Sequence, residues 1–276
     1  MRGPAEQLWR IRRHLGRGDA RSLGRLLGER APAAAEVEQY LDELRGSAAL
    51  RDALTQEPAR RWLSDVVGLS GNTTEAALRL EGPNRGRAVV LYVTARVLQP
   101  EVVIETGCFT GWDSSLLLHA LAANGKGRLY TIDLPAKEGH FSQLCGVRGA
   151  GLPAGVAAGF LVPGELHARW TLVEADVRDA LAPLLDRVGG VDLFFHDSDH
   201  TYEHMTWEYS TVWPALRPGG LLVSDDISWN TAFADFARRV GAGPVVHRQA
   251  PNVGAIRKPV VERSRVREPV AVEAVS

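Results

Sequence analysis

Cysteine and methionine are scarce in this chain of 276 residues, at two of each. Cys108 and Cys145 belong to no Cys-x-x-Cys pair and to no cluster of metal ligands. This excludes a disulfide-framed module and a thiolate metal site, and it fits reduced thiols in a cytoplasmic protein. Net charge is also nearly absent, with 32 basic residues against 33 acidic ones. Such a balance gives no sign of a nucleic-acid partner. Basic residues gather near the start (Arg10, Arg12, Arg13, Arg17, Arg21, Arg25), but acids soon follow, and the group reads as a solvated helix face. No apolar run is long enough to span a membrane, the first residues lack the apolar core of a signal peptide, and no internal repeat is visible. What is there, at 45% hydrophobic content, suffices for one large α/β domain with an appendage.

Residues 1–75 read as helices without strands. Leu8, Ile11 and Leu15 recur at helical spacing, as do Leu23, Leu26 and Leu27, and then Val37, Tyr40, Leu41 and Leu44. This appendage suits a cap over a site, a contact between copies of the chain, or both. Gly71-Asn72-Thr73-Thr74 and Gly82-Pro83-Asn84-Arg85-Gly86 read as loops. A helix over about 87–98 follows. From Val102 strands and helices alternate through 76–258, which predicts a largely parallel sheet. Strands are expected at about 102–105, 129–133, 170–174, 191–195 and 221–224. A closing hairpin at 244–248 and 253–257 adds an antiparallel pair. The tail, 259–276, shows no sustained periodicity and is expected to be mobile.

The chain is organised around Val102-Val103-Ile104-Glu105-Thr106-Gly107-Cys108-Phe109-Thr110-Gly111, which leads into the apolar helix around Leu116-Leu117-Leu118. Strand, glycine turn and helix open a nucleotide-binding α/β sheet. Glycine there lets a ligand approach the backbone, and the helix N-terminus presents unpaired N–H groups to the same crevice. An ordinary strand-to-helix turn is the competing reading. Acids end the successive strands: Glu105, Asp133, Glu174 with Asp176, Asp197, and Asp225 with Asp226. Ligands of open α/β sheets bind outside those ends. One acid in such a place is commonly a helix cap, and Asp113 and Asp176 are open to that reading. Between Asp133 and the third strand, a connection of more than thirty residues carries Gly146, Gly149, Gly151, Gly155 and Gly159. A stretch that long is functional or mobile, and 136–167 is expected to order as a lid over a bound ligand.

Glu105-x-Gly107-x-x-x-Gly111, Asp133, Glu174-Ala175-Asp176 and Leu216-Arg217-Pro218-Gly219-Gly220 together resemble class I S-adenosylmethionine-dependent methyltransferases. The resemblance covers about 87–258. It implies a seven-stranded, mostly parallel Rossmann-like sheet with a closing antiparallel hairpin. It also implies roles for single residues. Gly107 and Gly111 would let the backbone approach the methionine part of S-adenosyl-L-methionine. Glu105 would lie near its ammonium group or support the loop. Asp133 would accept hydrogen bonds from the ribose, and Asp176 would sit by the adenine edge.

The run His196-Asp197-Ser198-Asp199-His200-Thr201-Tyr202-Glu203 and the later Ser224-Asp225-Asp226 look like divalent-metal-dependent O-methyltransferases, of catechol and macrolide-sugar type. That resemblance implies Mg²⁺ on Asp197, Asp225 and Asp226, with Asp199 as rival ligand to Asp197, and His200 as general base. His196, His200 and His204 are spaced by four, so a shared helix face is the alternative. Tyr202 and Glu203 read as the start of a helix. The expected activity is O-methylation of a small hydroxylated molecule, such as a sugar-bearing natural product or a catechol. A metal-independent N- or O-methyltransferase and a catalytically degenerate binding protein are the alternatives. The expected partners are a small-molecule substrate and, through the N-terminal helices, a second copy of the chain; no nucleic acid or membrane is expected.

Overall fold

The computed structural model describes residues 19–60, 74–135, 152, 155–248 and 250–260. Ten helices are named here: α1 Asp19–Leu27, α2 Ala34–Arg45, α3 Ala48–Thr55, α4 Thr74–Arg79, α5 Pro83–Ala88, α6 Thr94–Leu98, α7 Trp112–Ala123, α8 Val177–Val188, α9 Tyr202–Ala215 and α10 Ala232–Arg239. The strands are β1 Val102–Thr106, β2 Arg128–Asp133, β3 Trp170–Glu174, β4 Val191–His196, β5 Leu216–Ser224, β6 Val245–His247 and β7 Ala250–Arg257.

They form one seven-stranded sheet in the order β3-β2-β1-β4-β5-β7-β6. Pairs among β1 to β5 are parallel, and β7 runs antiparallel to both β5 and β6. This is the expected seven-stranded sheet with its closing hairpin. β5 starts at Leu216, earlier than its apolar run, because Arg217-Pro218-Gly219-Gly220 continues the strand through an irregularity, with Gly219 at φ +82° and a register shift opposite Val191 and Leu193. β1 lies between β2 and β4, so the order of strands reverses beside it. The crevice outside the C-terminal ends of β1 and β4 is where such a sheet takes a ligand.

Alternation along the strands divides the core. Val103, Leu193, Phe195, Leu221 and Val223 face one layer, and Ile104, Phe194 and Leu222 face the other. The second layer holds α8, α9 and α10. The first holds α7 together with the N-terminal helices: Leu23, Leu41, Leu44, Leu50 and Leu54 belong to the same buried cluster as Phe195 and Val223. Ser47 caps α3 by accepting the Leu50 N–H, and its hydroxyl also lies 2.9 Å from Nε2 of His119 on α7. The described N-terminal helices are therefore a layer of the domain with a shared core. The segments 1–18 and 61–73 of the expected appendage, and 261–276 of the tail, lie outside the described residues.

Pro83 opens a helix where the sequence suggested a loop; at a first helical position its missing N–H costs nothing. That helix continues through a π-helical stretch, Val89–Val93, into α6. All five π residues are buried, and the widened turn sits directly after Arg87. Wide turns of this kind recur at functional sites.

Leu41→Ala empties a fully buried position in α2. It is expected to cost about 2–5 kcal/mol and to lower one unfolding transition common to the whole domain. Calorimetry resolving a separate early transition for the N-terminal helices would contradict the shared core.

Candidate active site

The turn after β1 is held by the acid that ends β2. Oδ2 of Asp133 accepts the N–H groups of Cys108 at 2.9 Å and Phe109 at 2.8 Å, while Oδ1 accepts that of Leu134 at 2.8 Å. Phe109 is thereby kept at φ +46°, a conformation that a bulky residue adopts only under constraint. Each carboxylate oxygen has two lone pairs, so Asp133 keeps acceptor capacity for a ligand hydroxyl. The glycines also meet a requirement within the protein itself. A Cβ on Gly107 would lie 2.0 Å from the carbonyl oxygen of Asp197, and one on Gly111 would lie 2.7 Å from Cα of Gly159. Their first requirement is close approach of protein backbone to protein backbone: the end of β4 against one, and the long connection against the other. The described end of that connection is tied down by Gly159 N–H to Phe109 O and Leu161 N–H to Thr110 O. It then runs through a short 3-10 turn, Gly164–Arg169, into β3. Most of the expected lid, 136–151 and 153–154, lies outside the described residues.

Glu105 is buried behind this turn. Its Oε2 accepts from Ser114 at 2.5 Å and Thr131 at 2.8 Å, which joins β1, α7 and β2. Burial pushes its carboxyl up to about 8, against those two hydrogen bonds, so it is largely neutral at pH 7. Of the two roles left open for it, support of the loop is the one its partners favour.

Glu208, on α9, is equally buried and stays charged. Burial works against the anion, but His196 and His204 hold it well below the usual carboxylate range. Nδ1 of His196 lies 2.8 Å and Nε2 of His204 lies 2.7 Å from its oxygens, with Thr106 and Ser198 hydroxyls donating at 2.7 and 2.5 Å. A carboxylate only accepts, so both of those ring nitrogens carry hydrogen. The three histidines do not share a helix face: His196 ends β4, His200 lies in the following loop, and His204 belongs to α9.

The expected metal ligands meet a different cation. Arg87, between α5's start and the π stretch, donates to Asp113 and Asp225, and its Nη1 stands 3.9 Å from Oδ2 of Asp197. Burial disfavours the guanidinium charge, yet Asp113, Asp225 and Asp197 together raise its pKa above the usual arginine value. Burial lifts Asp113 to about 6 in spite of Arg87. It also raises Asp197, with Asp225 adding repulsion. Asp226 follows at φ +46° in the immediate turn that adjacent acids require, with Trp229 N–H on its carbonyl oxygen at 3.0 Å. It lies outside the ion-pair group, and Asp113 takes its place. Among the described residues no three His, Cys, Asp or Glu side chains are grouped to hold a metal ion. Of the expected ligands, Asp197 and Asp225 face Arg87, and Asp226 adds its repulsion to Asp197. Asp199 instead caps the local turn through Thr201 N–H at 2.9 Å.

His200 sits at the edge of this cluster. Its Nε2 is buried without a hydrogen-bond partner, and Oδ1 of Asp197, at 3.6 Å, is too far to serve as one. Burial, assisted by His196, lowers its pKa to about 4, so the ring is neutral at pH 7. Asn230 fixes it by donating to the His200 carbonyl at 2.8 Å. The indole of Trp229 lies 5.2 Å from the imidazole, and that residue is 58% exposed. Tyr202 and Glu203 open α9, as expected. Asp176 accepts the Arg178 N–H at 2.8 Å and caps α8, the second of its two readings.

Arg87 and Glu208 escaped sequence reasoning, and Asp113 was taken for a cap. The available signal for Arg87 was a lone cation heading the apolar stretch Ala88-Val89-Val90-Leu91. Glu208 had none, being one acid on an otherwise ordinary helix.

The sheet is Rossmann-like and mostly parallel, with a glycine turn after β1 and an acid at the end of β2. Residues 104–227, from β1 to the turn after β5, match a family described as a methyltransferase domain. A curated relative, the 8-demethyl-8-alpha-L-rhamnosyl tetracenomycin-C 2'-O-methyltransferase of Streptomyces olivaceus, is 39% identical over 57 residues. That match spans 20% of this chain and 15% of the relative's length. Two solved structures align at low identity. A calicheamicin methyltransferase is 18% identical, with 88% of this chain and 98% of that one covered and a TM-score of 0.47. The O-methyltransferase TomG of Streptomyces achromogenes, involved in tomaymycin synthesis, is 19% identical, with 81% and 96% covered and a TM-score of 0.48. Among the described residues no helix is long and apolar enough to cross a membrane.

The state of Glu105 yields a pH test. Its carboxyl rises from 4.5 to about 8 on folding, so between those values the folded chain holds a proton that the unfolded chain releases. Stability that is present below pH 4.5 is lost as the pH rises towards 8. Glu105→Gln copies the protonated form and is expected to gain on the wild type across that window, by a few kcal/mol at most. Denaturant melts at pH 5 and pH 8 read the difference; an equal gap at both values would place the carboxylate form in the folded chain.

Proposed function

We propose that the chain is an S-adenosyl-L-methionine-dependent O-methyltransferase acting on a small hydroxylated molecule, with a sugar-bearing natural product as the substrate class. The observation that carries the reading is a neutral, buried His200 whose Nε2 lacks a partner, beside the glycine turn of a methyltransferase domain. An unprotonated imidazole can take the proton of a hydroxyl as its oxygen attacks the cofactor's methyl carbon. When bound, the cofactor would supply the methyl group from its sulfonium, leaving as a neutral thioether as the O–CH₃ bond forms, and His200 would take the hydroxyl's proton and with it the positive charge. Asp133, next to the turn, is the acceptor assigned to the ribose hydroxyls, and the turn glycines are assigned to the methionine part.

The name of the Streptomyces olivaceus relative, a 2'-O-methyltransferase of a rhamnosyl compound, supports a sugar hydroxyl as acceptor. The exposed Trp229 offers a flat apolar surface for one face of a sugar ring beside the base. Magnesium had been expected on Asp197, Asp225 and Asp226. As arranged, these residues do not fit an ion, because Arg87 occupies the position between two of them. No step is assigned to a metal.

Calorimetry with S-adenosylhomocysteine tests the cofactor: Asp133→Ala is expected to weaken binding by roughly 1–3 kcal/mol. With an acceptor found by screening glycosylated hydroxy compounds, His200→Ala is expected to lower kcat by about 10²–10⁴-fold and to leave cofactor affinity unchanged. Unaltered turnover in a folded His200→Ala chain would remove the base from the reading, and absence of any cofactor binding would remove the reading itself.

A further inference from the structure

Arg87 lies outside every motif that marks this domain, yet it joins more of the site than any motif residue does. Its guanidinium links the helix before β1, through Asp113, to the helix after β1, and through Asp225 and Asp197 to the ends of β5 and β4. Asp225 is almost wholly buried, with a side chain 6% exposed, and its second oxygen, Oδ1, has no partner; neither has Oδ1 of Asp113. Two carboxylates thus direct their Oδ2 atoms at one point while each keeps an unpaired Oδ1, and a cation is built into the chain at that point. A guanidinium and a divalent ion cannot share it. The guanidinium is rigid, always charged and pre-positioned by the buried π stretch after it.

The geometry points to Arg87 as the resident cation of the active site: it stands where a divalent ion would bind, and it makes the chain a methyltransferase whose acid cluster is neutralised by its own side chain. The inference rests on the methyltransferase reading for what the site does, and on the ion pairs alone for which cation it holds. Arg87 is a positioning residue here. It fixes Asp197 beside His200, and it keeps three carboxylates together without an exchangeable ion.

The test is titration of the full chain with Mn²⁺, followed by electron paramagnetic resonance, with S-adenosylhomocysteine affinity measured in parallel. The wild type is expected to show no saturable Mn²⁺ site that Asp225→Asn removes. Arg87→Met is expected to acquire a site at least roughly tenfold tighter than anything in the wild type. Asp225→Asn in the Arg87→Met background should abolish that site. Arg87→Lys keeps the charge and should behave as the wild type does. A stoichiometric Mn²⁺ site in the wild type that is lost in Asp225→Asn would overturn the proposal, and so would a folded Arg87→Met chain with no gain. Should Arg87→Met fail to fold, the comparison of wild type with Asp225→Asn still decides. S-adenosylhomocysteine binding reports on the methyltransferase reading separately, so either conclusion can fail while the other stands.

Discussion

Burying negative charge at one end of a sheet is the constraint on which this site depends. Glu105, Asp133, Glu208 and the group of Asp113, Asp197 and Asp225 all gather around the ends of β1, β2, β4 and β5. Left charged and unpaired, each would be expelled or would unfold its surroundings. The chain resolves them in four ways. Glu105 keeps its proton. Asp133 is solvated by backbone N–H groups. Glu208 is held by two imidazoles and two hydroxyls. The remaining three share one guanidinium. Every one of these solutions also joins separate segments, so neutralising the acids and fixing the shape of the crevice are a single act.

The sheet was legible because its signals are local and repeated. Short apolar runs with an acid at or just after their ends located β1, β2 and β4 to within a residue or so, and the strand–helix alternation dictated parallel pairing. The hairpin came from two short runs around a turn. Pro83 was misread because proline in a glycine-rich context signals a loop, whereas a proline at the first position of a helix is recognisable only from the residues after it. The leucines of the N-terminal helices announced buried faces. Nothing in their spacing revealed that those faces would join the buried cluster that holds Phe195 and Val223, far away in the chain.

In the site, residues with a motif around them were found and residues defined by partners were not. Asp133, Gly107, Gly111 and His200 have sequence neighbours that announce them. Arg87 acquires its meaning from Asp225, 138 positions away, and sequence spacing carries no trace of that pairing. The nature of the cation was hidden for the same reason: acids at the ends of β4 and β5 imply a cation, but the pattern cannot say whether it is an ion or a side chain. The purpose of the glycines was also hidden. Absence of a Cβ suits a ligand or a backbone equally, and here Asp197 and Gly159 make the approach.

This distribution of charge narrows the choice of base in the proposed reaction. A hydroxyl that attacks a methyl group must lose its proton to an acceptor with a free lone pair. Glu105 is already protonated, Glu208 receives four hydrogen bonds, and Asp133 holds the turn and is the acceptor assigned to the ribose. Asp113 and Asp225 hold Arg87. His200 combines an unpartnered ring nitrogen with a neutral ground state and stands at the edge of the cluster. Its weakness as a base is offset by what stands near it. Asp197 lies 3.6 Å from Nε2, beyond hydrogen-bond range of the neutral ring but close enough to attract the imidazolium as it forms. The same transfer removes the positive charge of the sulfonium, so the crevice carries an unchanged total charge from start to finish. Arg87 then has one requirement, which is to hold Asp197 in place without taking it over, and its 3.9 Å separation from that carboxylate, against direct contact with the other two, meets it.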